Sequence, residues 1–207
     1  MAHIQHHYFF NSKVMDKKNL KNPIWYLKDN KDPIEETLIL YDRILGDYLH
    51  SKKFSLAIAT GLTQKPYDKV KFYYKIKNHK EFFLKLKIDF IKIQELMSRD
   101  FIVYFSDEEK AKSSEEILNN IRLKNKELFK IDNRGSNLFI TLIYPDEILK
   151  NDYIDYNKIK IFHHVSFIAI KNGMHSEKGF YYDNFSDYKK KEMSITDIKN
   201  IILNFFK

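Results

Sequence analysis

Apolar residues along this chain switch repeatedly between helical and strand spacing, which predicts helices interleaved with strands. Asp32-Pro33-Ile34-Glu35 has the form of a helix start: Asp as N-cap, Pro at the first helical position, Glu three residues after the cap. Ile34, Leu38, Tyr41, Leu45 and Tyr48 follow at helical spacing, so a helix over 33–49 is expected to lay one face on a sheet. Phe54 to Thr60 is a short apolar run ending at Gly61, and it reads as a central parallel strand fed by that helix. Val70, Phe72, Tyr74 and Ile76 alternate, predicting a strand with one exposed face. Asn78 with Glu81 starts a short helix carrying Phe82, Phe83 and Leu86. Residues 101–105 read as another strand, and Ser106 with Glu109 opens a polar helix whose apolar stripe is Ala111, Ile117, Leu118 and Ile121. Leu128 to Ile131, the turn Asp132-Asn133-Arg134-Gly135, and Leu138 to Tyr144 read as a hairpin. Residues 162–170 form a second strongly apolar run, and Ser194 with Asp197 opens a terminal helix with Ile198, Ile201, Ile202 and Phe205 inward.

This succession predicts an α/β fold: a mostly parallel sheet with flanking helices, and a small inserted α+β lobe. Strands 54–60 and 162–170 are expected to be central and buried, with helices 33–49 and 195–206 packed on the sheet. Residues 1–207 read as one α/β domain, with 88–145 as the inserted lobe. No internal repeat is present.

Composition narrows the class. At 207 residues, with 43% hydrophobic and 31% charged, the chain is globular rather than disordered. No apolar run approaches the ~20 residues of a membrane span, and no basic-then-apolar leader opens the chain. The absence of cysteine excludes disulfides, thiolate metal sites and Cys nucleophiles; a reducing, cytoplasmic setting is the expectation. The net charge of +8 points toward polyanions. Among the cations, however, only Arg43, Arg99, Arg122 and Arg134 carry the planar fork that reads bases and clamps phosphate. Nucleic-acid binding is therefore expected to be weak and non-specific at most.

Three clusters could carry chemistry. His3, His6 and His7 stand within five residues and could present two imidazoles to one zinc-like ion; a plain polar tail is the alternative. Thr60-Gly61-Leu62-Thr63-Gln64 follows the apolar run at 54–60, where sites lie in open parallel sheets, or is an ordinary strand-to-loop turn. His163-His164, with His175 in the loop after Asn172-Gly173, form the third. One of the 163–164 pair reads as a hydrogen-bonded core histidine, and His175 as the better ligand.

The order AHIQH, YDRILGDYL, SLAIATGLTQ, FIAIKNGMHSEKGF, SITDIKNIIL resembles the second half of the alkaline phosphatase superfamily, in its phosphodiesterase and nucleotide-pyrophosphatase branch. The resemblance implies that His3 matches the first metal motif, whose Asp would precede Met1. It also implies that His175, or else His164, matches the late ligand. Ser194 to Ile198 matches the closing helix. Where that family has Asp-His, this chain has Gly61 and Leu62, which cannot bind a metal, and the family's nucleophile has no counterpart. The expectation is a C-terminal part of a larger catalytic domain: a partial or degenerate metal-dependent phosphoester or sulfoester hydrolase, inactive by itself. One weakly held divalent ion would be held jointly by His3 and His175, or by His3 and His164, in a cavity beside the loop Thr60 to Gln64, and Thr60 and Gln64 would hydrogen-bond the phosphate or sulfate ester. The rival expectation is a non-enzymatic basic module binding an acidic protein or RNA through Lys and exposed Tyr.

Overall fold

Small antiparallel sheets stand where a parallel one was expected. The computed structural model describes residues 2–13, 20–27, 31–51, 53–61, 63–186 and 192–207, with side chains from residue 4 onward. The chain opens with α1 (Ala2–Tyr8), then α2 (Pro33–Ser51), β1 (Ala57–Ala59), β2 (Thr63–Ile76) and α3 (His79–Lys85). β3 (Lys92–Glu95), β4 (Asp100–Tyr104) and α4 (Glu108–Asn119) lead into two hairpins. These are β5 (Arg122–Leu123) with β6 (Lys126–Glu127), and β7 (Phe129–Asn133) with β8 (Asn137–Leu142). β9 (Val165–Ser176), β10 (Tyr181–Asp183) and α5 (Ile195–Phe205) follow. Two compact units result: Met1–Asp68 with Asn172–Lys207, and Lys69–Lys171. β2 pairs with β9, and the division falls within both strands. Among the described residues, no helix is long and apolar enough to cross a membrane.

The Lys69–Lys171 unit is built on a four-stranded sheet in the order β3-β4-β8-β7, every neighbour antiparallel. Strand alternation turns Phe101 and Val103 of β4, and Leu138, Ile140 and Leu142 of β8, into a buried face. α3 seats Phe83 against Phe101, with ring centroids 5.8 Å apart, and Phe82 against Phe129 at 6.1 Å. α4 adds Ala111 and Leu118 to the same core. Asn78 caps α3 by accepting from the Glu81 backbone N–H. Asp107, one residue after the expected Ser106, caps α4 by accepting from the Lys110 N–H. The β7–β8 turn uses Gly135 at φ 81°, where a side chain would be strained. Lys124 and Asn125, both at positive φ, make the two-residue turn between β5 and β6. The β2 segment in this unit buries Phe72, Tyr74 and Ile76, and the Tyr74 hydroxyl accepts from the Ile148 N–H.

The other unit is held differently. Its buried apolar side chains are Phe9, Phe10, Ile34 and Ile201, and beside them lie buried Ser12, Asn22, Asp32 and Asn172. Asn172 Oδ1 accepts from the Phe10 N–H at 2.8 Å and from Asn22 Nδ2 at 3.1 Å, while its Nδ2 donates to Asn22 Oδ1 at 3.0 Å. Asp32 caps α2 through the N–H groups of Ile34 and Glu35, and its other oxygen accepts from Ser12 Oγ and the Lys13 N–H. Gly173 lets α1 approach β9. A Cβ there would lie 2.8 Å from Gln5 O and 3.0 Å from the His6 Cα, closer than packing allows.

The expected mostly parallel sheet is therefore corrected. The run 54–60 yields only the three-residue β1, paired with β10 alone and antiparallel. The run 162–170 opens as a turn of 3-10 helix at Ile161–His163, and β9 begins at Val165. Short continuous apolar runs carry no information about partner direction, so they were compatible with either sheet. The single inward face expected of the helix over 33–49 is not found either. Ile34 is buried, but Leu38, Tyr41 and Tyr48 are exposed, as are Ile39, Leu40 and Ile44 between them. The terminal helix α5 forms with the expected Ser194–Asp197 capping box, yet buries Ile201 and leaves Ile202 and Phe205 exposed.

Candidate nucleic-acid interface

On β2 the burial of Phe72, Tyr74 and Ile76 leaves the odd positions on the opposite side: Lys69, Lys71, Tyr73, Lys75, and Lys77 just past the strand end. Lys77 stays in the extended pairing, since its N–H donates to His164 O at 2.8 Å. Same-side neighbours on a strand are about 7 Å apart, so four ammonium groups flank one phenol ring in a row. The Arg99 guanidinium sits over the Tyr73 ring, 4.1 Å from its centroid, and also donates to Leu142 O. The Lys71 ammonium is held below the ordinary lysine range, first by burial and then by the nearby charges of Arg99, Lys171 and Lys69. Among the described residues, Lys71, Lys75 and Lys77 form no ion pair with a carboxylate. The row concentrates positive charge on one side of the strand.

A cleft of about 770 Å³ lies in the same unit, between the start of α3, residues 88–95 and Lys110. His79 is buried there with its ring 4.5 Å from Phe101 and its Nδ1 3.1 Å from Glu95 Oε1, close but not aligned as a hydrogen bond. Burial pushes the His79 pKa down, Glu95 pulls it back up, and Lys75 adds to the lowering; the net shift is downward. The net effect favours the neutral imidazole.

The expected site residues fall as follows. Backbone 2–8 places His3 in α1, but its side chain lies outside the described residues, as does Leu62. His6 and His175 do approach, with ring centroids 6.3 Å apart, and His6 is 4.8 Å from His7. His175 itself is exposed. Gln64 Oε1 stands 2.6 Å from where a Gly173 Cβ would be, so this residue, in β2 rather than in the expected loop, sits beside the same close approach. The Thr60 hydroxyl accepts from the Phe180 N–H at 2.6 Å and donates to Phe180 O at 3.3 Å, which fastens β1 to the segment before β10. His164 belongs to the Lys69–Lys171 unit and is buried, with the Lys85 ammonium 3.2 Å from its Nε2. Burial first, then Lys85, lower its pKa. Among the described residues, no three His, Asp or Glu side chains gather as a metal-binding group.

Sequence reasoning named the buried side of this strand and missed the lysine row, whose signal is K-x-K-x-Y-x-K-x-K at strand period. The His79–Glu95 approach had no such signal, because the two residues meet only through the tertiary fold. Comparison with known families, with characterised proteins and with solved structures finds no match for this chain.

Proposed function

We propose that this chain is a non-enzymatic module that binds single-stranded nucleic acid across the β2 face, weakly and without regard to sequence. The observation that carries the reading is the row Lys69-Lys71-Tyr73-Lys75-Lys77, with Arg99 stacked on its central tyrosine. Ammonium groups spaced along a strand follow a phosphate backbone as point charges, which supplies affinity but no sequence readout. The tyrosine and guanidinium planes offer faces on which bases stack, and this favours a nucleic acid over an acidic protein. Scarcity of arginine elsewhere fits sequence-blind binding.

The test is a salt series with a labelled uridine dodecamer. Binding is expected to weaken linearly in log–log form, by roughly 0.7 log units per log unit of salt for each phosphate engaged. The double variant Lys71→Ala with Lys75→Ala should lower that slope by about 1.4 and weaken binding about tenfold near physiological salt. Tyr73→Ala should weaken binding at every salt concentration while leaving the slope unchanged. Unchanged affinity in both variants sinks the reading. Equal binding to polyglutamate would transfer the face to an acidic protein partner.

A further inference from the structure

We propose that the cleft beside α3 in the Lys69–Lys171 unit is a separate small-molecule site for a nucleoside monophosphate, an aromatic base joined to a phosphate. The inference stands apart from the strand-face reading, because it uses other residues and a different ligand. At about 770 Å³ the cleft is within the range of small-ligand sites, roughly 300–1,000 Å³.

Its lining divides by chemistry. Lys80, Lys92 and Lys110 line it together with the acidic Asp89 and Glu95, and the Lys92 ammonium also lies 5.9 Å from the centre of the Tyr104 ring. Glu95 lies 3.1 Å from the His79 ring, which also lines the cleft. The excess of cations suits a phosphate. Leu84, Ile88, Phe90, Ile91 and Ile93 supply the apolar part. Ile88 is buried as floor, whereas Leu84 is 57% and Ile91 69% exposed at the rim. A flat aromatic body resting on that rim would cover apolar surface that nothing else in the unit covers. Simple phosphate would not use it. His79 adds the polar edge. Its Nδ1 lies 3.1 Å from Glu95 Oε1, so imidazole and carboxylate sit together at one end of the lining.

Titration of the full chain with adenosine monophosphate, adenosine, ribose 5-phosphate and inorganic phosphate, followed by calorimetry and by amide NMR shifts, tests this. The nucleotide is expected to bind at least about tenfold tighter than any of the other three, a difference of about 1.4 kcal/mol. Amide shifts should concentrate at residues 88–95. Lys92→Ala with Lys110→Ala should cost about tenfold in nucleotide affinity, and Ile91→Glu, at the exposed rim, should cost a similar factor without touching the core. Ribose 5-phosphate binding as well as the nucleotide would overturn the base-binding half. Shifts confined to residues 69–77, or full nucleotide affinity in both folded variants, would overturn the site.

Discussion

The Lys69–Lys171 unit and the unit formed by the two chain ends solve the problem of burial in opposite ways. In the first, Phe82, Phe83, Phe101, Leu118, Leu138 and Ile140 are fully buried, packed between a sheet face and two short helices. In the second, the longest helix keeps most of its large apolar side chains exposed, and the interior is tied by Asn172, Asn22, Asp32 and Ser12. A core of aromatic and branched side chains gains from every area removed from water. A polar core gains only while each partner is satisfied, because a buried group left alone costs its full desolvation. The contrast teaches where each unit is fragile: the first to loss of volume, the second to loss of a single hydrogen-bond partner.

The largest effect should come from Phe101→Ala. Its ring touches Phe83, Phe129 and His79, so a cavity opens at the centre of the first unit. A loss of about 3–5 kcal/mol is expected by urea denaturation. Less than about 1 kcal/mol would mean the unit has no such packed centre. Next is Asn172→Ala, which strands the Phe10 N–H and both amide atoms of Asn22. It should cost about 2–3 kcal/mol and speed hydrogen exchange around Phe10 without affecting β4 and β8. Equal protection in variant and wild type would end the idea of a polar-knit unit.

A smaller effect is tied to acid. Burial raises the Asp32 pKa, but hydrogen bonds from Glu35, Lys13, Ser12 and Ile34 together bring it below the ordinary 3.8. Its folded-state pKa is therefore depressed, so its stabilisation is present above the unfolded value and is lost as pH falls below 3.8 through the folded one. An acid titration should loosen the start of α2 first, and Asp32→Asn should remove that transition at a cost of about 1 kcal/mol for the weakened cap. If α2 and β4 lose protection together at one pH, the two units are not separable in this way. The smallest effect belongs to Tyr144→Phe. Its buried hydroxyl has no hydrogen-bond partner among the described residues, and burial, with Asp146, Asp152 and Tyr74 nearby, pushes its pKa up to about 12. Removing the hydroxyl should leave stability unchanged or raise it by up to about 1 kcal/mol in thermal melts. A clear loss would show that the first unit also depends on a polar contact.

Local signals were legible because they act over a few residues. The Asp32 cap, the Asn78 cap of α3, the hairpin through Gly135, the alternation of Val70 to Ile76 and the Ser194–Asp197 box each involve neighbours within one or two turns, and each is found in the structure. The alternation gave β2 an exposed face, but the basic and aromatic row on that face was not singled out until the structure showed it. Strand direction was not legible in 54–60 or 162–170, since an apolar run buries equally well beside a parallel or an antiparallel neighbour. The motif order had set the N-terminal histidine segment beside His175, where His6 is found, but no signal showed that His6 would be the near one or that Glu95 would lie against His79. Those meetings join residues far apart in the chain, and the fold brings them together by closing distances that no local propensity encodes. By itself, then, the sequence determined the caps, the turns and the faces of single elements, where a few dihedrals and neighbouring side chains decide the outcome. Only the tertiary structure decided which strands pair, which helix faces stay wet and which titratable groups share a cleft, because those depend on long-range burial summed over the whole chain.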